Sequence, residues 1–223
     1  MSSPQGLTVL SAADHSKPWL ISGSGRSGTT ALARLCATLG LTSLDNGHNT
    51  LEHQGMRVAH AERDVEWVRA FRRGWTAGCL VKTPGLGIVA GRDPEMAEAL
   101  DCNYLFSFRD VVVESFYDTI QHPDANVGEM MRTRANMAAL SVSSALVLSQ
   151  STGVIMVSYE KLIQPLSNRD LVTRLCTLIG GSPDNIDAAM LTISPEDAAY
   201  RQRARGGQPA KLPATAANAS SSD

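Results

Sequence analysis

The chain has 223 residues, 43% of them hydrophobic and 19% charged, enough apolar material to bury the core of a folded domain and too much for a disordered chain. Lys and Arg number 20 against 22 Asp and Glu, so the net charge is -2 and no global field draws the chain to nucleic acid or an anionic membrane. The four cysteines, Cys36, Cys79, Cys102 and Cys176, are widely spaced without a C-x-x-C pair, which favours a reduced, cytoplasmic protein over a zinc or dithiol site. No apolar run reaches the roughly 18 residues of a membrane span, and the first stretch lacks the basic-then-apolar order of a secretion signal.

In chain order, Trp19-Leu20-Ile21-Ser22 is a short apolar run of the buried-strand type. A Gly-rich turn follows at residues 23–30, and then a helix in which Leu32, Leu35, Cys36 and Leu39 share a face until Gly40 stops it. Residues 45–54 are polar and predict a loop, and 57–73 predict a helix. Cys79-Leu80-Val81 is a second strand, halted by Lys82-Thr83-Pro84-Gly85. Pro94 opens a short helix to Leu100. Tyr104 to Phe108 is a third strand, residues 111–120 and 127–150 are helical, and Val154 to Val157 is a fourth strand. A last helix over 171–179 stops at Gly180-Gly181. Wholly apolar strands alternating with helices predict a three-layer α/β/α domain with a central parallel sheet. That domain is expected to occupy residues 1–209, and 210–223 to be a disordered tail rich in Ala and Ser.

The loop Gly23-Ser24-Gly25-Arg26-Ser27-Gly28-Thr29-Thr30 carries the chemistry. Gly23 and Gly28 have the G-x-x-x-x-G spacing of a nucleotide-phosphate loop, in which backbone amides and a helix N-terminus converge on an anion. The lysine such loops place next is here Thr29. Thr29 and Thr30 offer hydroxyls, and Arg26 offers a charge that can grip an anion with two parallel hydrogen bonds.

Gly-x-x-Arg-Ser-Gly-Thr-Thr after a strand resembles the 5′-phosphosulfate loop of the sulfotransferases that use 3′-phosphoadenosine 5′-phosphosulfate (PAPS). Lys82-Thr83-Pro84 is similar to the segment that follows a strand in that family, with Pro84 where the cytosolic members have a histidine. Phe108-Arg109-Asp110 with Ser115 resembles the 3′-phosphate element, at a shorter Arg-to-Ser interval. Ser158-Tyr159-Glu160-Lys161-Leu162 resembles the late Tyr-Glu-x-Leu segment, and Arg205-Gly206-Gly207 loosely resembles the closing Arg-x-Gly element.

The resemblance implies a PAPS-dependent sulfotransferase with a P-loop-like phosphosulfate site and no metal. Gly25, Arg26, Ser27, Gly28, Thr29 and Thr30 would hold the 5′ end of the donor. Arg109, Ser115, Tyr159, Arg205, Gly206 and Gly207 would hold the rest. Catalysis would fall to Lys82, Arg26 and a base. In relatives without the strand-end histidine that base is a Glu about one helix past the loop, here Glu52, with His53 or His48 as fallback. The acceptor is expected to be a small-molecule or carbohydrate hydroxyl or amine, and oligomeric state is unreadable. Two other readings stay open: a P-loop small-molecule kinase, with Thr30 and Asp110 serving magnesium, and a catalytically silent nucleotide-binding protein.

Overall fold

The computed structural model describes residues 6–25, 27–45, 51–111, 115, 126–163 and 168–193. The strands are β1 (Leu7–Ser11), β2 (Trp19–Gly23), β3 (Thr42–Ser43), β4 (Cys79–Lys82), β5 (Asn103–Phe108) and β6 (Val154–Ser158). They form one six-stranded sheet in the order β1-β6-β5-β2-β4-β3. The predicted strands pair in parallel, as does the two-residue β3, while β1 joins the β6 edge antiparallel, so the sheet is mostly rather than wholly parallel. Neither β1 nor β3 was expected from the sequence.

Alternation along the strands divides the interior in two. Trp19, Ile21, Leu80, Leu105 and Ile155 face one core; Leu20, Val81, Tyr104, Phe106 and Val154 face the other. The first core is covered by α1 (Thr29–Thr38) and, late in the chain, by helices at Asn168–Ile179 and Ile186–Thr192. The second is covered by α2 (Gln54–Glu62), α3 (Val65–Arg72), α4 (Leu86–Ala90), α5 (Pro94–Leu100) and α6 (Val127–Leu148). Both faces are therefore buried, as continuous apolar strands require.

The region expected as one helix over 57–73 is two. Arg63 adopts a left-handed φ of 55° at the end of α2, and Asp64 caps α3 by accepting from the Trp67 amide at 2.9 Å. Helix α4 was also unexpected; it hides in an apolar stretch behind Gly85, whose φ is 84°. Helix α6 ends at Leu148, two residues short of the expected end. Most of the helix expected over 111–120, and the tail over 210–223, lie outside the described residues. No helix among the described residues is long and apolar enough to cross a membrane.

The strand order decides where a ligand can sit. After β2 the chain builds β3 and β4 on one side of it, then β5 and β6 on the other. Such a reversal opens a crevice at the carboxyl end of the central strand, and the glycine loop leaves β2 at that point.

Candidate functional site

Parallel register brings the ends of three strands to one rim. Gly23 of β2 lies opposite Ser107 of β5, and Ile21 lies opposite Lys82 of β4. Residues from the loop, Lys82 and Arg109 thus share one edge of the sheet because their strands end there.

The loop is shaped by close packing. Gly23, at φ 152°, leaves no room for a side chain, since a Cβ would lie 2.5 Å from the Ser107 carbonyl oxygen and 2.6 Å from Ser27 Oγ. The Ser27 amide donates to Ser24 O at 3.2 Å, and the Ser107 hydroxyl donates to Ser27 O. Gly28 begins α1 at φ 89° against the ring of Tyr159; a Cβ there would lie 2.1 Å from Cδ2. Gly28→Ala is expected to lower stability, by about 1–2 kcal/mol for the left-handed backbone and about 1–3 kcal/mol for overpacking against a buried ring. A drop in Tm measured by calorimetry checks this, and an unchanged Tm contradicts it.

Thr29 is buried and Thr30 half-buried in the first turn of α1, whose opening amides have no acceptor within the helix. Ser27 Oγ is fully buried and has no hydrogen-bond partner among the described residues; Thr83 Oγ1, one residue past Lys82, is in the same state. Buried orphan hydroxyls are costly; that of Ser27 belongs to the glycine loop and that of Thr83 to the turn after β4, both at the same rim of the sheet.

The lysine that ends β4 is the centre of the site. Lys82 is only 2% exposed, yet its Nζ donates to Thr30 Oγ1 at 2.7 Å and to Glu52 Oε1 at 2.9 Å. Burial pushes its pKa below the ordinary lysine value; the Glu52 hydrogen bond and charge oppose that shift, and Arg34 adds to it. Glu52 reaches this place through its backbone, which forms a parallel bridge with Lys82 beside the β4 edge. The loop after the first helix therefore does return to the rim. The Glu52 side chain is 23% exposed, so it is not sealed in the core as Lys82 is.

The other sequence-predicted residues separate into groups. His53 accepts from the Met56 amide through Nδ1 at 3.3 Å as the cap of α2, and its ring packs 4.2 Å from Phe71. Burial lowers its pKa, with Asp45 opposing. Arg109 follows β5, with its guanidinium 4.8 Å above the Tyr159 ring and Nε 3.9 Å from Glu160 Oε1. Glu160 also accepts from the Asp110 amide at 2.8 Å. Tyr159 is thus the wall between Gly28 and Arg109. Ser115 is buried and donates to Val111 O at 2.7 Å. Arg26, His48, Arg205, Gly206 and Gly207 lie outside the described residues.

Sequence reasoning missed Arg134, on α6, whose Nη1 donates to Gly25 O at 2.7 Å. It also missed Glu160 as the carboxylate beside Arg109. Neither contact has a signal in local spacing, because each joins segments far apart in the chain. Among the described residues, no group of three His, Cys, Asp or Glu side chains is placed to hold a metal ion.

No protein-family model matches the chain, and no curated protein matches it. Among solved structures it is similar to the crystal structure of retinol dehydratase in complex with androsterone and inactive cofactor PAP, at 12% identity and a TM-score of 0.51. The match covers 79% of this chain and 64% of that one, so the chain spans less than two thirds of that protein's length. The likeness is one of architecture, a sulfotransferase-like α/β fold.

Proposed function

We propose that the chain is a PAPS-dependent sulfotransferase acting on a hydroxyl or amine of a small-molecule or carbohydrate acceptor. The observation that carries this reading is the buried Lys82 ammonium, bonded at once to the first turn after the phosphate loop and to the carboxylate of the half-buried Glu52. The fold shared with a PAP-bound enzyme supports it. PAPS brings an activated sulfuryl group on its 5′-phosphate.

The reaction breaks the bond from sulfur to the bridging phosphate oxygen and forms one from sulfur to the acceptor oxygen or nitrogen. The acceptor loses a proton, and 3′,5′-ADP departs. Gly25, Arg26, Ser27, Gly28, Thr29 and Thr30 hold the 5′ end with amides, hydroxyls and the arginine charge. Lys82 meets the negative charge that develops on the departing phosphate oxygen. Glu52 takes the acceptor proton. Arg109, beside Tyr159 and Glu160, binds the 3′-phosphate together with Ser115, and Arg205, Gly206 and Gly207 complete the donor site.

The kinase reading asks Thr30 to serve magnesium. Its hydroxyl already accepts from an ammonium, so a second cation there would meet repulsion. Donor labelled in the sulfuryl group, offered with a panel of hydroxyl and amine acceptors, tests the function directly. Label is expected to move to acceptor with equal release of 3′,5′-ADP and without added magnesium. Transfer of the γ-phosphoryl of ATP instead would overturn the proposal.

The 3′-phosphate assignment has its own test. Arg109→Ala removes a charge-assisted contact worth about 1.5–3 kcal/mol, so affinity for 3′,5′-ADP should fall at least about tenfold. Binding of 5′-AMP, which lacks the 3′ group, should stay the same. Titration calorimetry reads both, and equal losses would contradict the assignment.

A further inference from the structure

The tip of the phosphate loop is held from outside its own strand-loop-helix unit. Helix α6 is started by Asn126, which accepts from the Glu129 amide at 3.1 Å. About two turns later Arg134 reaches across 109 residues of sequence and donates from Nη1 to the Gly25 carbonyl at 2.7 Å. A Cβ added at Gly25 would lie 3.3 Å from that same nitrogen, so the guanidinium lies directly against this glycine. The inner side of the loop is tied separately, by the Ser27 amide to Ser24 O and by the Ser107 hydroxyl to Ser27 O. The peptide plane carries its carbonyl and the next amide on opposite edges. A carbonyl held by an external cation therefore fixes the tilt of its own peptide plane, and a fixed backbone is what an anion nest needs.

We infer that Arg134 is a positioning residue for the phosphate loop: by holding the Gly25 carbonyl it keeps the loop in its anion-binding shape. It also places near the loop a positive charge that Thr29, standing where nucleotide loops carry lysine, does not provide. The inference rests on the donor-site reading above and adds to it. Arg134 acts on the 5′ end, which 3′,5′-ADP and 5′-AMP share, whereas Arg109 acts on the 3′ end, which they do not. The contact lies near the surface, so solvent reduces its strength and the expected loss is about three- to tenfold.

The test uses the full chain with Arg134→Ala and Arg134→Lys. In the nucleotide-free protein, hydrogen exchange over residues 24–29 should quicken several-fold in the alanine variant, with β2 and β5 unchanged. In calorimetry the same variant should lose affinity for 3′,5′-ADP and 5′-AMP by one common factor. The lysine variant, which keeps a cationic donor, should recover at least half of both changes. Unchanged loop exchange, a loss confined to 3′,5′-ADP, or a lysine variant indistinguishable from alanine would each overturn the inference. A wild-type chain that binds neither nucleotide would instead remove the donor-site reading, and the exchange measurement would still decide whether Arg134 holds the loop.

Discussion

Lys82→Met is expected to lower kcat by about 10²–10³-fold, the range for loss of one preorganised charge-stabilising donor, while the donor KM changes far less. The reason is the timing of the interaction. Charge on the bridging oxygen is small in the bound donor and large as the sulfuryl group leaves, so Lys82 contributes mainly in the transition state. Methionine keeps the volume of a side chain that is 2% exposed. Steady-state kinetics of donor and acceptor give the split, and wild-type turnover with weakened donor binding would make Lys82 a binding residue only.

The same lysine sets an alkaline limb. Burial lowers its pKa, so its proton, and the activity, should be lost at a pH below the ordinary lysine value. Over that window the folded state binds fewer protons than the unfolded one, so this group alone makes stability rise with pH. Activity falling while stability does not is a pattern that unfolding cannot produce.

Glu52→Gln is expected to lower kcat by about 10²–10⁴-fold, the usual contribution of a general base, with folding preserved. Glutamine retains an oxygen able to accept from Lys82, now 2.9 Å from the carboxylate, and removes only the basicity. His53 behaves differently in this structure. Its Nδ1 caps α2 and its ring packs on Phe71, so His53→Ala should cost Tm rather than turnover. A Glu52→Gln enzyme with normal kcat beside an inactive but folded His53→Ala enzyme would transfer the role of base to the histidine.

The parts legible in the sequence were those fixed by local pattern. The apolar strands at Trp19, Cys79, Tyr104 and Val154 are buried on both faces, and continuous hydrophobicity announces that. The glycine loop and the helix after it announced themselves by spacing, and Pro94–Leu100 by its proline at the first turn. The missed elements lacked such a signal. Strand β3 is two residues long and exists only because Thr42 and Ser43 fall in register with Cys79 and Leu80. Strand β1 closes an edge through pairing with β6, at the far end of the chain. The split between α2 and α3 turns on one left-handed Arg63 followed by a capping aspartate, a device that helical periodicity does not see.

The candidate site shows the same division. Residue types and strand ends singled out Lys82 and Arg109, but their partners are tertiary. Glu52 meets Lys82 across 30 residues by a backbone bridge, a return of the chain that the sequence did not reveal. Tyr159 is drawn by one family-like segment, yet its place between Gly28 and Arg109 follows from β6 lying beside β5. Arg134 was not foreseen, because a surface arginine on a long helix looks the same whether or not a loop carbonyl waits opposite it.

Titration calorimetry in the presence of a chelator tests the central claim most directly, with 3′,5′-ADP and ATP as the two ligands and ATP repeated with magnesium. A metal-free donor site of this construction should bind 3′,5′-ADP with clear saturation in chelator and gain nothing for ATP on adding magnesium. Binding of ATP that appears only with magnesium, together with no heat from 3′,5′-ADP, would contradict the account and return the chain to the kinase reading.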